Sequence, residues 1–161
     1  MRLEIIGVTK LKRAEKAKGF FETGLNCSQS VVCAFSDVLG LSEQICARLS
    51  CGLGGGVGRQ REICGAVSGA ATILGFVFGG EDGRDKKAAY EKVREFSDEF
   101  KKRNGSLICR ELLGLEKGLN ESFVPSERTA EYYKKRPCAD LVFDAAEILE
   151  QILERDGVLD A

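Results

Sequence analysis

Histidine is absent from this chain, which removes the commonest general base and the commonest nitrogen ligand for a metal ion. Any catalysis falls to thiols, carboxylates, lysine or tyrosine. Proline occurs only twice, so no proline-rich linker divides the chain. An excess of one charge is missing as well. The 24 Lys and Arg nearly balance the 25 Asp and Glu, for a formal net charge of −1. No basic stripe interleaves with aromatics, so nucleic acid and an anionic membrane surface are not expected partners. The opening "MRLEIIGVTK" contains no long apolar stretch and no small-residue cleavage site. It does not read as a secretory signal, and a cytoplasmic, reducing compartment is the expectation.

What is plentiful is cysteine and glycine. Seven cysteines occur, at Cys27, Cys33, Cys46, Cys51, Cys64, Cys109 and Cys138, alongside 19 glycines. An odd number leaves at least one thiol unpaired within a monomer. In a reducing compartment cysteines serve metal binding or redox chemistry more often than structural disulfides. A free cysteine can also simply be a small buried hydrophobe.

Helical signals dominate the pattern. Thr9 is a candidate N-cap for a helix carrying Leu11, Ala14, Ala17 and Phe21 and stopping near Gly24. Asn26, with Gln29 three residues on, forms a capping-box signature for a helix running to Gly40. Ser42 caps a short third helix. "ICGAVSGAATILGFVFGG" follows without a charge, then an amphipathic helix with Ala89, Val93, Phe96 and Phe100, closed by Gly105. Ser106 starts a short helix, and Pro137 is expected as the first-turn proline of a terminal amphipathic helix ending at Gly157. Only "RLEIIGV" reads as extended. The prediction is a single all-α domain over 1–161, with 1–9 as an N-terminal extension. It is a compact bundle of six to seven helices around a Gly/Ala-rich central helix.

The segment "CGLGGGVGRQREICGAVSGA", residues 51 to 70, invites three readings. A phosphate-binding loop needs G-x-x-x-x-G-K-[ST], and no Lys-Ser or Lys-Thr follows the glycines. The dinucleotide fingerprint fails at Val57, and a helix precedes the loop where that fold requires a strand. As a membrane span, residues 63–80 reach only the lower length limit and are diluted by small residues. Gly65 and Gly69 instead read as a site of close helix approach, so no membrane span is expected. The third reading concerns Cys64. It stands at a predicted helix N-terminus, where the dipole of roughly +0.5 charge and upstream Arg59 and Arg61 favour a thiolate.

That placement recurs. Cys27 follows the Asn26 cap, Cys109 falls in the first turn after Ser106, and Cys138 follows Pro137 behind Lys134, Lys135 and Arg136. Helix starts can converge on one point, whereas core cysteines scatter through helix middles. Cys33, among Val31, Val32 and Phe35, reads as buried, and Cys46 likewise. Cys51 stands at the lip of the glycine loop, within reach of such a site.

Together, "GLNCSQSVVCAF", "GLGGGVGRQREICGAVSGA", "LICRELLGL" and "RPCADLVFDAAEIL" resemble the redox-active protein family named for its C-GCAxxG-C-C cysteine pattern. The resemblance covers roughly residues 10 to 155 and maps the four signature cysteines onto Cys27, Cys64, Cys109 and Cys138. It implies a small helical protein with a redox role that is itself inferred from cysteines. Related domains joined to cytochromes bring in an iron–sulfur site. Cys33, Cys46 and Cys51 fall outside the signature.

Three functions follow. In the first, the thiols cycle between dithiol and disulfide, with Cys64 as the attacking group and another of the four resolving. No C-x-x-C and no thioredoxin-like βαβ pattern accompany it. In the second, Cys27, Cys64, Cys109 and Cys138, with Cys51 as a further candidate, ligate a [2Fe–2S] cluster or a Zn²⁺ ion. These ligands are widely spaced, where familiar sites use close pairs. In the third, the chain is a non-catalytic helical module with structural cysteines. A redox protein is the expected partner, and a homodimer is an open alternative.

Overall fold

The computed structural model describes residues 12–117 and 122–160. The expected N-terminal extension over 1–9, the cap at Thr9, the extended segment and Leu11 lie outside the described residues. Among the described residues the chain is all-helical, apart from one isolated antiparallel bridge between Ile63 and Ile108. The helices are α1 (Arg13–Glu22), α2 (Cys27–Ala34), α3 (Ser36–Leu39), α4 (Glu43–Ser50) and α5 (Gly65–Phe78). They continue with α6 (Lys86–Asn104), α7 (Cys109–Leu112), α8 (Ala130–Lys135) and α9 (Cys138–Arg155).

Local chemistry accounts for most boundaries. Asn26 caps α2 by accepting from Gln29 N at 2.9 Å, and Gln29 Oε1 accepts from Asn26 N at 3.0 Å, which closes the capping box. Ser42 caps α4, accepting from Ile45 N at 3.2 Å. Gly105 ends α6 in the left-handed conformation, at φ +88°, which a side chain would strain.

Three expectations need correcting. The helix from Asn26 does not run through to Gly40: it breaks at Phe35, where φ is −115° and ψ 21°. The reason is tertiary. The buried Arg13 donates to Ala34 O at 3.0 Å, grips Asp37 at 2.6 and 2.8 Å, and lies 4.9 Å over the Phe35 ring. Its guanidinium thus takes up a carbonyl freed at the end of α2. Ser106 does not cap α7; Ile108 occupies that position, and Ser106 Oγ accepts from Ile108 N at 3.0 Å while bonding Glu111. Pro137 is the N-cap of α9, so that helix begins one residue later, at Cys138. The split at Phe35 and the unexpected α8, capped by Thr129 accepting from Tyr132 N at 3.1 Å, raise the count above the predicted six to seven.

The core lies between α1, α2, α5, α6 and α9, with α1 on α9 and α5 sandwiched between α2 and α6. Phe21, Phe35, Phe96, Phe100, Ile73 and Leu149 are fully buried there, each contributing about 1.5–3 kcal/mol of transfer free energy. The Gly65/Gly69 pair works as the spacing implied. A Cβ on Gly65 would stand 3.1 Å from Ser28 N and 3.2 Å from Cys27 Cβ, and one on Gly69 3.1 Å from Ser28 O. Helices α2 and α5 therefore meet backbone to backbone beside Cys27. Among the described residues no helix is long and apolar enough to cross a membrane.

Candidate functional site

Each of the four signature cysteines stands at a helix N-terminus. Cys27, Cys109 and Cys138 are the first residues of α2, α7 and α9, and Cys64 is the N-cap of α5. All four line one cavity of about 390 Å³, and Cys51 joins them at its rim. Cys33 and Cys46 are buried in the packed core, away from that cavity.

Backbone contacts bring these distant segments together. Antiparallel pairing joins the residues before α5 to those before α7: Cys64 N donates to Leu107 O at 2.9 Å and Cys109 N to Glu62 O at 2.6 Å. Asn26, the residue before Cys27, donates from Nδ2 to Cys51 O at 2.9 Å. The close approach at Gly65 then sets Cys27 against the start of α5.

The glycine loop supplies the remaining wall by an unusual backbone. Gly55, Gly56, Val57, Gly58 and Arg59 all have positive φ, between 56° and 66°, and Arg61 follows at 61°. Left-handed residues with side chains cost roughly 1–2 kcal/mol each. Here the turn is held by Arg61 N to Gly55 O at 3.1 Å and Glu62 N to Gly56 O at 3.2 Å. At Gly56 no side chain fits: a Cβ would come 2.7 Å from Glu62 N and 2.8 Å from Cys109 Cβ. The loop is thereby pressed onto Cys109, and it turns Arg61 inward to donate to Cys109 Sγ at 3.8 Å. The glycines serve thiol placement.

Electrostatics separate the four thiols. Cys64 is 3% exposed, and burial pushes its thiol up to about 12 against the helix-terminal N–H groups of Ala66 and Val67. The expected low-pKa Cys64 is therefore corrected: desolvation outweighs the helix terminus at that position. Cys109 is also raised by burial, with Arg61 opposing. Cys138 goes the other way. A hydrogen bond from Cys27 holds its thiolate down to about 7, aided by the guanidiniums of Arg136, Arg61 and Arg128. It also stands at the N-terminus of the 18-residue α9, where the dipole adds to the effect. Cys27, the donor of that bond, is raised well above its ordinary range, because Cys138 takes the charge first and burial opposes a second one.

The cavity's outer wall comes from the polar connection before α9, which sequence reasoning left unassigned. Arg128 donates to Phe21 O at 3.4 Å and Leu25 O at 3.1 Å, and its guanidinium lies 4.5 Å from the Phe21 ring centre and 4.8 Å from that of Tyr132. Arg136 lies 5.0 Å from the Tyr132 ring centre. Among the described residues Arg59, Arg61, Arg128 and Arg136 line the cavity and no carboxylate does. Arg59 and Arg61 before Cys64 and the Lys134–Arg136 run before Cys138 were the sequence signals for this charge, and of that run only Arg136 lines the cavity. The described residues hold no group of three or more Cys, Asp or Glu close enough to bind a metal ion.

No curated protein and no solved structure matches the chain. A family model described as "Putative redox-active protein (C_GCAxxG_C_C)" matches residues 25–152, most of the chain, and spans all four helix-start cysteines together with the Gly65/Gly69 pair that packs α5 on α2. The chain belongs to this C_GCAxxG_C_C family.

Proposed function

We propose that this protein is a thiol–disulfide redox module in which Cys138 attacks and Cys27 resolves. The observation that carries this reading is that Cys27 and Cys138, each the first residue of its helix, line one cavity ringed by guanidiniums. The two groups divide the labour. Cys138 is the more readily ionised of the two, and Cys27 holds its proton more tightly while Cys138 is charged.

The reaction is a two-electron exchange. Cys138 Sγ attacks one sulfur of an incoming disulfide, a mixed disulfide forms, and the first thiolate departs with the electron pair. The Cys138 charge is then gone, so Cys27 ionises more readily and its proton passes to the departing thiolate. Cys27 Sγ next attacks Cys138 Sγ, closing a Cys27–Cys138 disulfide and expelling the second thiolate. The protein is oxidised by two electrons and the partner disulfide is reduced. The reverse sequence oxidises a partner dithiol.

A second reading rests on a specific observation as well: Cys27, Cys64, Cys109 and Cys138 all face one cavity. Thiol donors beside guanidiniums suit an anionic [2Fe–2S] cluster, which those four residues would hold and which would supply one-electron transfer. A single Zn²⁺ requires four ligands near 2.3 Å, a gathering absent among the described residues.

One preparation tests both readings. The protein is purified anaerobically, analysed for iron, zinc and sulfide, then titrated with a small disulfide and peptide-mapped. The first reading expects a metal-free protein that gains a Cys27–Cys138 linkage. A coloured protein with stoichiometric iron and sulfide and no such linkage would establish the second and sink the first.

A further inference from the structure

Building on the thiol-exchange reading, we infer that the disulfide this cavity accepts is a small organic molecule carrying carboxylates, not a disulfide in another protein. Access points this way first. Cys138 is 7% exposed and Cys109 8%, so a disulfide fixed on a protein surface has little to approach. The cavity volume of about 390 Å³ falls in the range of small-ligand sites, roughly 300–1,000 Å³.

Charge points the same way. An anionic disulfide is ordinarily repelled by an attacking thiolate. Here four guanidiniums line the approach, and among the described residues no carboxylate does. Arg61 is committed to Cys109 Sγ, Arg128 to the carbonyls of Phe21 and Leu25, and Arg59 donates to Ser126 Oγ at 3.4 Å. Arg136 is the group best placed to take a carboxylate. It stands two residues before Cys138 and is braced at 5.0 Å over the Tyr132 ring. A guanidinium fork suits a planar carboxylate and can bind it bidentately. Leu112, Leu113 and Leu141, which also line the cavity, offer apolar surface to the methylenes that join such a carboxylate to its sulfur.

The step balances as in the dithiol cycle. The small disulfide is the oxidant and leaves as two thiols, while Cys27 and Cys138 lose two electrons and join.

Four probes test this on the reduced full chain: oxidised glutathione (anionic), 2-hydroxyethyl disulfide (neutral), cystamine (cationic) and insulin as a protein disulfide. The rate of Cys27–Cys138 linkage is followed by mass spectrometry. Each rate is divided by that of the same probe with a free small thiol, which removes intrinsic reactivity. The expected normalised order is anionic, then neutral, then cationic, with about tenfold between the first two at low salt and less at high salt. In Arg136→Gln the anionic-to-neutral ratio falls toward one, and Arg136→Lys restores part of it. Because one nucleophile serves both probes, any change in Cys138 acidity cancels in that ratio. Equal anionic and neutral rates, an unchanged ratio in Arg136→Gln, or insulin as the fastest probe would overturn the inference and leave thiol exchange standing. Failure of every probe to link Cys27 to Cys138 would remove both.

Discussion

Cys33 and Cys138 are both buried thiols on helices of the same bundle, yet their surroundings give them opposite chemistry. Cys33 lies in the last turn of α2 among Val31, Val32 and Phe35. Its Sγ donates to Glu43 O at 3.4 Å, and burial beside Cys46 and Glu43 pushes it up to about 11. Cys138 opens α9, receives a proton-bearing thiol from Cys27, and faces three guanidiniums that bring it to about 7. Burial alone makes a thiol inert. At Cys138 the Cys27 hydrogen bond and three guanidiniums outweigh burial, whereas at Cys109 burial prevails even beside Arg61.

Substituting each residue is the strongest way to break this comparison. Cys138→Ser is expected to reduce disulfide exchange to background, while Cys33→Ser leaves the rate unchanged, measured as thiol loss on titration with a small disulfide. Equal losses would erase the distinction.

Acidity sharpens it next. Alkylation of Cys138 by iodoacetamide is expected to rise with a midpoint near pH 7, while Cys33 stays protected until near pH 11. Residue-resolved mass spectrometry reads both. The stability consequence has a definite sign. Cys138 is lowered from an ordinary value of 9.0 to about 7, so its contribution is complete above pH 9 and disappears as pH falls through 7. Cys64 is raised from 9.0 to about 12, so its contribution is complete below pH 9 and disappears as pH rises toward 12.

A smaller effect is expected from the loop that builds the reactive side. Gly56→Ala places a Cβ 2.8 Å from Cys109 Cβ at a φ of +66°, costing about 3 kcal/mol in denaturant-unfolding stability. A change under about 0.5 kcal/mol would mean the loop does not press on Cys109. The smallest effect belongs to the inert side. Cys46→Ala removes one buried sulfur from the core and is expected to cost about 1 kcal/mol while leaving Cys138 alkylation unaltered.

Much of the bundle was legible from local chemistry. Asn26 with Gln29, Ser42, Gly105 and the apolar spacing of α6 each act within a turn or two of chain, so their effect is written in the residues themselves. The break at Phe35 was not legible, because Arg13, 22 positions earlier, takes up the end of α2. The cavity wall was hidden for the same reason. Arg128 reads as an ordinary surface charge until it reaches Phe21 and Leu25.

The sequence by itself placed Cys27, Cys64, Cys109 and Cys138 at or near helix starts, with the Asn26 cap before Cys27 the most local of those signals. It also determined that α2 and α5 can approach closely, because Gly65 and Gly69 lack side chains. Only the tertiary structure decided which thiol is charged. A helix terminus favours every one of the four, but desolvation and the positions of Arg61, Arg128 and Arg136 depend on chain segments far apart in sequence. Those longer-range effects raise Cys64 and lower Cys138.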